Sequence, residues 1–124
     1  MNVKKMKESI DLLKADLDGA LLSSDIWDKE SGSSITSFNP NDKYTALFGS
    51  IVNNMENSLN EIGLPPFGKY QIIDLEVDAM LLILNVKGKY LWGSLIDKTH
   101  ISLGFLINIS IPKARASLIE ATSD

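Results

Sequence analysis

At Gly63 the hydrophobic period of the chain changes from helical to strand-like, and that change restricts the folds open to it. Tyr44, Leu47, Phe48, Ile51, Val52, Met55, Leu59 and Ile62 share one face at helical spacing, and the pattern stops at glycine, a natural helix terminator. Beyond Gly63-Leu64-Pro65-Pro66 the period is that of strands. Residues 69–77 alternate in part, with Gln71, Ile73, Leu75 and Val77 on one face and Tyr70, Ile72, Asp74 and Glu76 on the other. Residues 80–84 form an unbroken apolar run suited to a strand covered on both faces, and 90–96 follow across Lys87-Gly88-Lys89. A long amphipathic helix followed by three close-set strands predicts an α+β domain built on an antiparallel sheet.

Upstream, Val3, Met6, Ile10, Leu13 and Leu17 predict an amphipathic first helix over residues 2–15. Residues 17–26 turn β-like, 28–32 are polar and turn-rich, and 33–38 offer a second short strand, so a hairpin is expected. Asn39 or Asn41 is expected to cap the second helix, with Asp42 favouring its positive end. Gly49 lies inside that helix at a cost of about 1 kcal/mol relative to alanine, which predicts a close approach by a neighbouring element. The last helix, carrying Leu103, Leu106, Ile107, Ile111, Leu118 and Ile119, is expected to be capped by Asp97 or Thr99. Pro112 should kink it or split it near Ile111.

A chain of 124 residues fits a single domain, residues 1–124, able to bury roughly two-thirds of its unfolded surface. With 44% hydrophobic and 23% charged residues it falls in the globular range, which argues against extended disorder. The net charge of -4 argues against nucleic acid as a partner. Lys4, Lys5 and Lys7 stand beside Glu8 and Asp11 and read as a solvated helix face rather than a membrane contact. Without cysteine there is no disulfide, thiolate metal site or thiol nucleophile. The N-terminus lacks a signal-peptide core and the apolar run 101–111 is too short to span a bilayer. A cytoplasmic protein with no membrane insertion is expected.

Chemical motifs are sparse. Gly63 to Tyr70 approaches the phosphate-loop pattern, but Tyr70 replaces the magnesium-binding hydroxyl, and Pro65 and Pro66 lack the N–H groups that cradle phosphate. It reads as a helix-to-strand connector. Asp74, Glu76 and Asp78 lack the glycine and late glutamate of a calcium loop, and Asp25, Asp28 and Glu30 read as turn acids. His100, the only histidine, has no nucleophile motif to serve, and Arg115 on the last helix has no reason to act as an arginine finger. No enzyme activity, cofactor or metal is expected, and function is sought on surfaces.

Three segments then combine: Leu17-Asp18-Gly19-Ala20-Leu21-Leu22 entering the first strand, Tyr44-Thr45-Ala46-Leu47-Phe48 opening the second helix, and Ser102-Leu103-Gly104 starting the last. With the order α-β-β-α-β-β-β-α, the chain resembles the roadblock family of dynein light chains and bacterial gliding-polarity regulators. The resemblance implies a profilin-like five-stranded antiparallel sheet with helices on both faces. It also implies a homodimer whose third strands pair and whose second helices pack side by side, placing Phe48, Ile51, Val52, Met55, Tyr70, Ile72, Asp74 and Glu76 at the interface. It further implies binding to a Ras-like small GTPase, with Lys43, Asn53, Asn54, Glu56, Asn57 and Asn60 as the partner-facing candidates. The long turn Trp27-Asp28-Lys29-Glu30-Ser31-Gly32 and Pro112 depart from the family pattern. Two alternatives stand beside it: a small-ligand sensor with a pocket under the last helix lined by Tyr90, Trp92 and Phe105, and a small hydrolase using His100.

Overall fold

The computed structural model describes residues 1–123. In chain order these form α1 (Val3–Leu17), β1 (Leu21–Asp28), β2 (Ser34–Phe38), α2 (Asp42–Glu61), β3 (Tyr70–Asp74), β4 (Ala79–Val86) and β5 (Tyr90–Asp97). A terminal helix follows in continuous pieces, α3 (Leu103–Phe105), a π-helical turn (Leu106–Ser110) and α4 (Ile111–Ala121). The five strands are antiparallel in the order β2-β1-β5-β4-β3, with β2 and β3 at the edges. This is the expected α+β architecture, with helices on both faces.

Strand alternation divides the core into two. On one face Leu82, Leu84, Trp92 and Ile96 pack against Met6, Ile10 and Leu13 of α1 and Leu106 and Leu118 of the terminal helix. On the other, Trp27, Leu81, Ile83 and Leu91 pack against Phe48 and Val52 of α2. The apolar run in β4 thus feeds both cores. Trp92 is fully buried, its indole N–H donating to the Ser24 hydroxyl at 2.6 Å, which lies 2.9 Å from the Ser94 hydroxyl. Tyr90 is also buried whereas Phe105 lies on the surface, so these three do not line one pocket beneath the last helix.

Several boundaries differ from expectation for local reasons. Helix α1 runs on through Leu17 and ends at Asp18 in the left-handed region, which delays β1 to Leu21. Asn41 caps α2 by accepting the Lys43 N–H at 2.9 Å, whereas Asn39 donates its amide to the Leu22 carbonyl at 2.7 Å. At the other end Gly63 has φ 76° and Leu64 N–H reaches Leu59 O at 2.9 Å, a glycine-terminated helix end. Strand β3 stops at Asp74; Val77 takes φ 66°, so Glu76 lies in the turn beyond the strand. Ser102, not Asp97 or Thr99, caps the terminal helix, and Asp97 instead accepts from the Thr99 N–H at 2.9 Å. Ahead of Pro112 the helix widens, Ile111 N–H bonding Leu106 O, and this π-helical turn accommodates a residue that has no N–H to give to the preceding turn.

Gly49 is not the site of close packing. A Cβ there meets nothing within 4 Å, whereas Gly93 on β5 lies directly beneath the Phe48 ring. Phe48 in turn stacks on Trp27, with centroids 6.1 Å apart and planes at 15°. The glycine that lets α2 lie down belongs to the sheet.

Candidate functional site

Only Phe48 and Val52 of α2 are buried, fewer than its apolar stripe contains. Ile51, Met55 and Leu59 are half-buried, while Tyr44, Leu47 and Ile62 are exposed, Leu47 by 46%. The uncovered residues form one flank of the helix. On the opposite flank Thr45, Ala46, Gly49, Ser50 and Asn53 face Asp25, Trp27 and Ser34 of the β1–β2 hairpin across a cleft of ≈ 500 Å³. The apolar flank is therefore the one turned toward the β3 end of the sheet.

Strand β3 leaves its outer edge open. The Lys69 carbonyl accepts from Asn85 N–H at 3.0 Å and Leu75 N–H donates to Ala79 O at 3.1 Å, so odd-numbered residues direct their backbone groups to β4. Antiparallel alternation then turns the N–H and C=O of Tyr70, Ile72 and Asp74 outward. Such a row is a template for another strand unless something covers it. At the far edge, the Ser37 carbonyl of β2 accepts from the Lys7 ammonium at 2.9 Å.

The structure distributes the residues expected at a dimer interface unevenly. Phe48 and Val52 belong to the chain's own core; Ile51, Met55 and Ile72 are half-buried; Tyr70, Asp74 and Glu76 are exposed, and Asp74 pairs with Lys98. Among the partner-facing candidates, Lys43, Asn53, Asn54, Asn57 and Asn60 are exposed along α2. Glu56 is instead held to Lys29 at 2.7 Å with its side chain 18% exposed, so it braces α2 against the end of β1.

The residue that sequence reasoning misplaced is Asp25. It belongs to β1 rather than to the turn, is 4% exposed, and its carboxylate accepts from the Ser34 hydroxyl at 2.6 Å and the Thr45 hydroxyl at 2.8 Å. A strand position two before Trp27, on the same face of the pleat, was the available signal. Asp28 does serve the turn, accepting from Glu30 and Ser31 N–H at 3.0 Å each, and the Ser31 N–H is the main cause holding its carboxyl below the usual range.

No group of three or more metal-ligating side chains occurs among the described residues, and no helix among them is long and apolar enough to cross a membrane. His100 is exposed beside Asp97 and Asp18. The segment from Gly63 to Lys69 joins α2 to β3, opposite in order to a strand-loop-helix phosphate site.

Neither a protein-family model nor a curated protein matches the sequence. Solved structures match the fold. Myxococcus xanthus MglB superposes with a TM-score of 0.79 at 22% identity, covering 95% of this chain and 87% of that one. The gliding protein MglB from Thermus thermophilus gives 0.72 at 14% identity, covering 94% and 90%. A Roadblock/LC7 domain from Streptomyces avermitilis gives 0.56 at 9% identity, covering 87% and 95%. The chain has the roadblock fold.

Proposed function

We propose that this protein is a non-enzymatic regulator that forms a homodimer through α2 and β3 and binds a Ras-like small GTPase. The observation that carries this reading is the adjacency of two uncovered features, the apolar flank of α2 and the outward N–H and C=O groups of Tyr70, Ile72 and Asp74. A second copy related by a two-fold axis offers the same row of backbone groups, so two β3 strands satisfy one another while Tyr44, Leu47 and Ile51 of the two α2 helices leave water together. With the axis through Ile72, Tyr70 of one protomer stands opposite Asp74 of the other. Core packing engages Phe48 and Val52, which narrows the interface to the exposed flank.

The roadblock fold and the MglB neighbours support a regulatory role, and the exposed polar residues Lys43, Asn54, Asn57 and Asn60 offer a hydrogen-bonding surface for a GTPase. Such a regulator supplies no catalytic group; it biases the switch by binding one nucleotide state more tightly than the other. The test is sedimentation equilibrium of the purified chain, followed by titration with purified Ras-like GTPases from the same genome loaded with GDP or a non-hydrolysable GTP analogue. A dimer with nucleotide-dependent binding is expected. A monomer at micromolar concentration that ignores every GTPase in both states refutes the reading.

A further inference from the structure

The cleft between α2 and the β1–β2 hairpin contains a buried carboxylate with no cationic partner. Asp25 sits opposite Gly93 on β5 and Ser37 on β2, and among the described residues its oxygens accept from the Ser34 and Thr45 hydroxyls, one each. No ion pair among the described residues includes it. Aspartate is almost never so buried unless paired, and two hydroxyl donors use about half of a carboxylate's acceptor sites. The residue lines the cleft, with Asp42 adding a second carboxylate at its rim.

Gly49 points to the same space independently. A Cβ at this position meets nothing within 4 Å, and its backbone is not in the left-handed region, so neither packing nor conformation inside the protomer calls for glycine. Together with Ala46 and Ser50 it keeps the α2 wall of the cleft low.

We infer that this cleft receives a guanidinium side chain of a partner protein, lying along the Gly49 wall and paired with the Asp25 carboxylate. The chemistry selects arginine. The site carries two carboxylates, which disfavours phosphate and carboxylate ligands, and a guanidinium is more weakly hydrated than an ammonium, so it leaves water at lower cost. The inference rests on α2 as the partner-binding element and specifies which side chain of that partner is gripped. Asn53, at the mouth, provides an amide beside the entering chain.

The test uses the full chain and N-acetyl-arginine methylamide as probe, followed by amide chemical shifts, with the citrulline analogue as the uncharged control. Saturable shifts confined to Thr45, Ala46, Gly49 and Ser50 and to the facing hairpin are expected, absent with citrulline. Asp25→Asn should weaken them by about tenfold or more, as expected for loss of a charged hydrogen bond. Gly49→Leu fills the cleft while removing a helix-interior glycine, so it should abolish the shifts in a protein at least as heat-stable as the parent. Absent shifts, equal shifts with citrulline, or undiminished binding by Gly49→Leu overturn the inference. Arginine binding here without capture of any GTPase leaves the inference standing and removes the broader functional reading. GTPase capture unchanged by Gly49→Leu does the reverse.

Discussion

Replacing Gly93 by alanine should lift α2 from the sheet, because a methyl group at that position has no room. Its Cβ would stand 2.7 Å from Cγ and 2.8 Å from Cε2 of Phe48, and nearer still to Cδ2. These are ring atoms in a fully packed site, not the free end of a flexible chain; Phe48 is 2% exposed and stacked on Trp27. The ring must therefore slide along Trp27 or carry α2 outward. Overpacking of this kind costs about 1–3 kcal/mol. At the usual entropy of unfolding per residue, about 2 kcal/mol lowers Tm by roughly 8 °C for a chain of this length. The assay is thermal and urea denaturation at fixed protein concentration, since any self-association would stabilise the folded state by mass action. The diagnostic arm is a double-mutant cycle with Phe48→Leu. That change alone destabilises by leaving a cavity, but it clears the ring from residue 93, so Gly93→Ala should cost less in its presence than in the parent. If the two substitutions are additive, the close approach of Phe48 to Gly93 is not what holds α2 in place.

Three further outcomes follow from other parts of the molecule. Ser24→Ala leaves the buried Trp92 N–H without its acceptor and should cost about 1–3 kcal/mol by urea denaturation; an unchanged midpoint refutes that bond as a structural requirement. If the proposed dimer forms, Leu47→Lys on the exposed flank of α2 should leave a monomer in sedimentation equilibrium with the far-ultraviolet spectrum retained, and a dimer that persists in this variant would place the interface elsewhere. The Asp97 carboxyl is held below its ordinary value chiefly by the Thr99 hydroxyl, then by the Thr99 N–H. Its stabilising effect is complete above about pH 4, the ordinary aspartate range, and fades as pH falls through the depressed folded value, so Asp97→Asn should flatten the acid limb of the Tm profile. An identical limb would mean the turn contributes nothing.

Much of the fold was legible because its signals are local. The helical stripe of α2, its stop at Gly63, the Asn41 cap and the apolar run of β4 depend on residues within a few positions of one another. The errors arose where distant groups competed for the same residue. Asp25 read as a turn acid because its hydroxyl partners, Ser34 and Thr45, come from other elements. Trp92 and Phe105 looked alike as candidate pocket residues, and only packing buried one and exposed the other. The expected break at Pro112 became a π-helical turn in a helix that α1 holds in place along its length, with Ser9 and Ser117 hydroxyls 2.7 Å apart and Lys113 paired with Asp16 at 3.0 Å.

The sequence by itself determined the elements and their order, since periodicity and terminators are properties of neighbouring residues. It also determined that the chain carries no thiol and only one histidine. The tertiary structure decided which apolar residues of α2 are consumed by the core and which remain exposed, because the helix rotates to seat Phe48 over Gly93. It likewise decided that Gly49 faces an open cleft and that Asp25 lies in its floor. Those outcomes depend on how α2, β1 and β5 meet, a three-body fit that no spacing along the chain encodes.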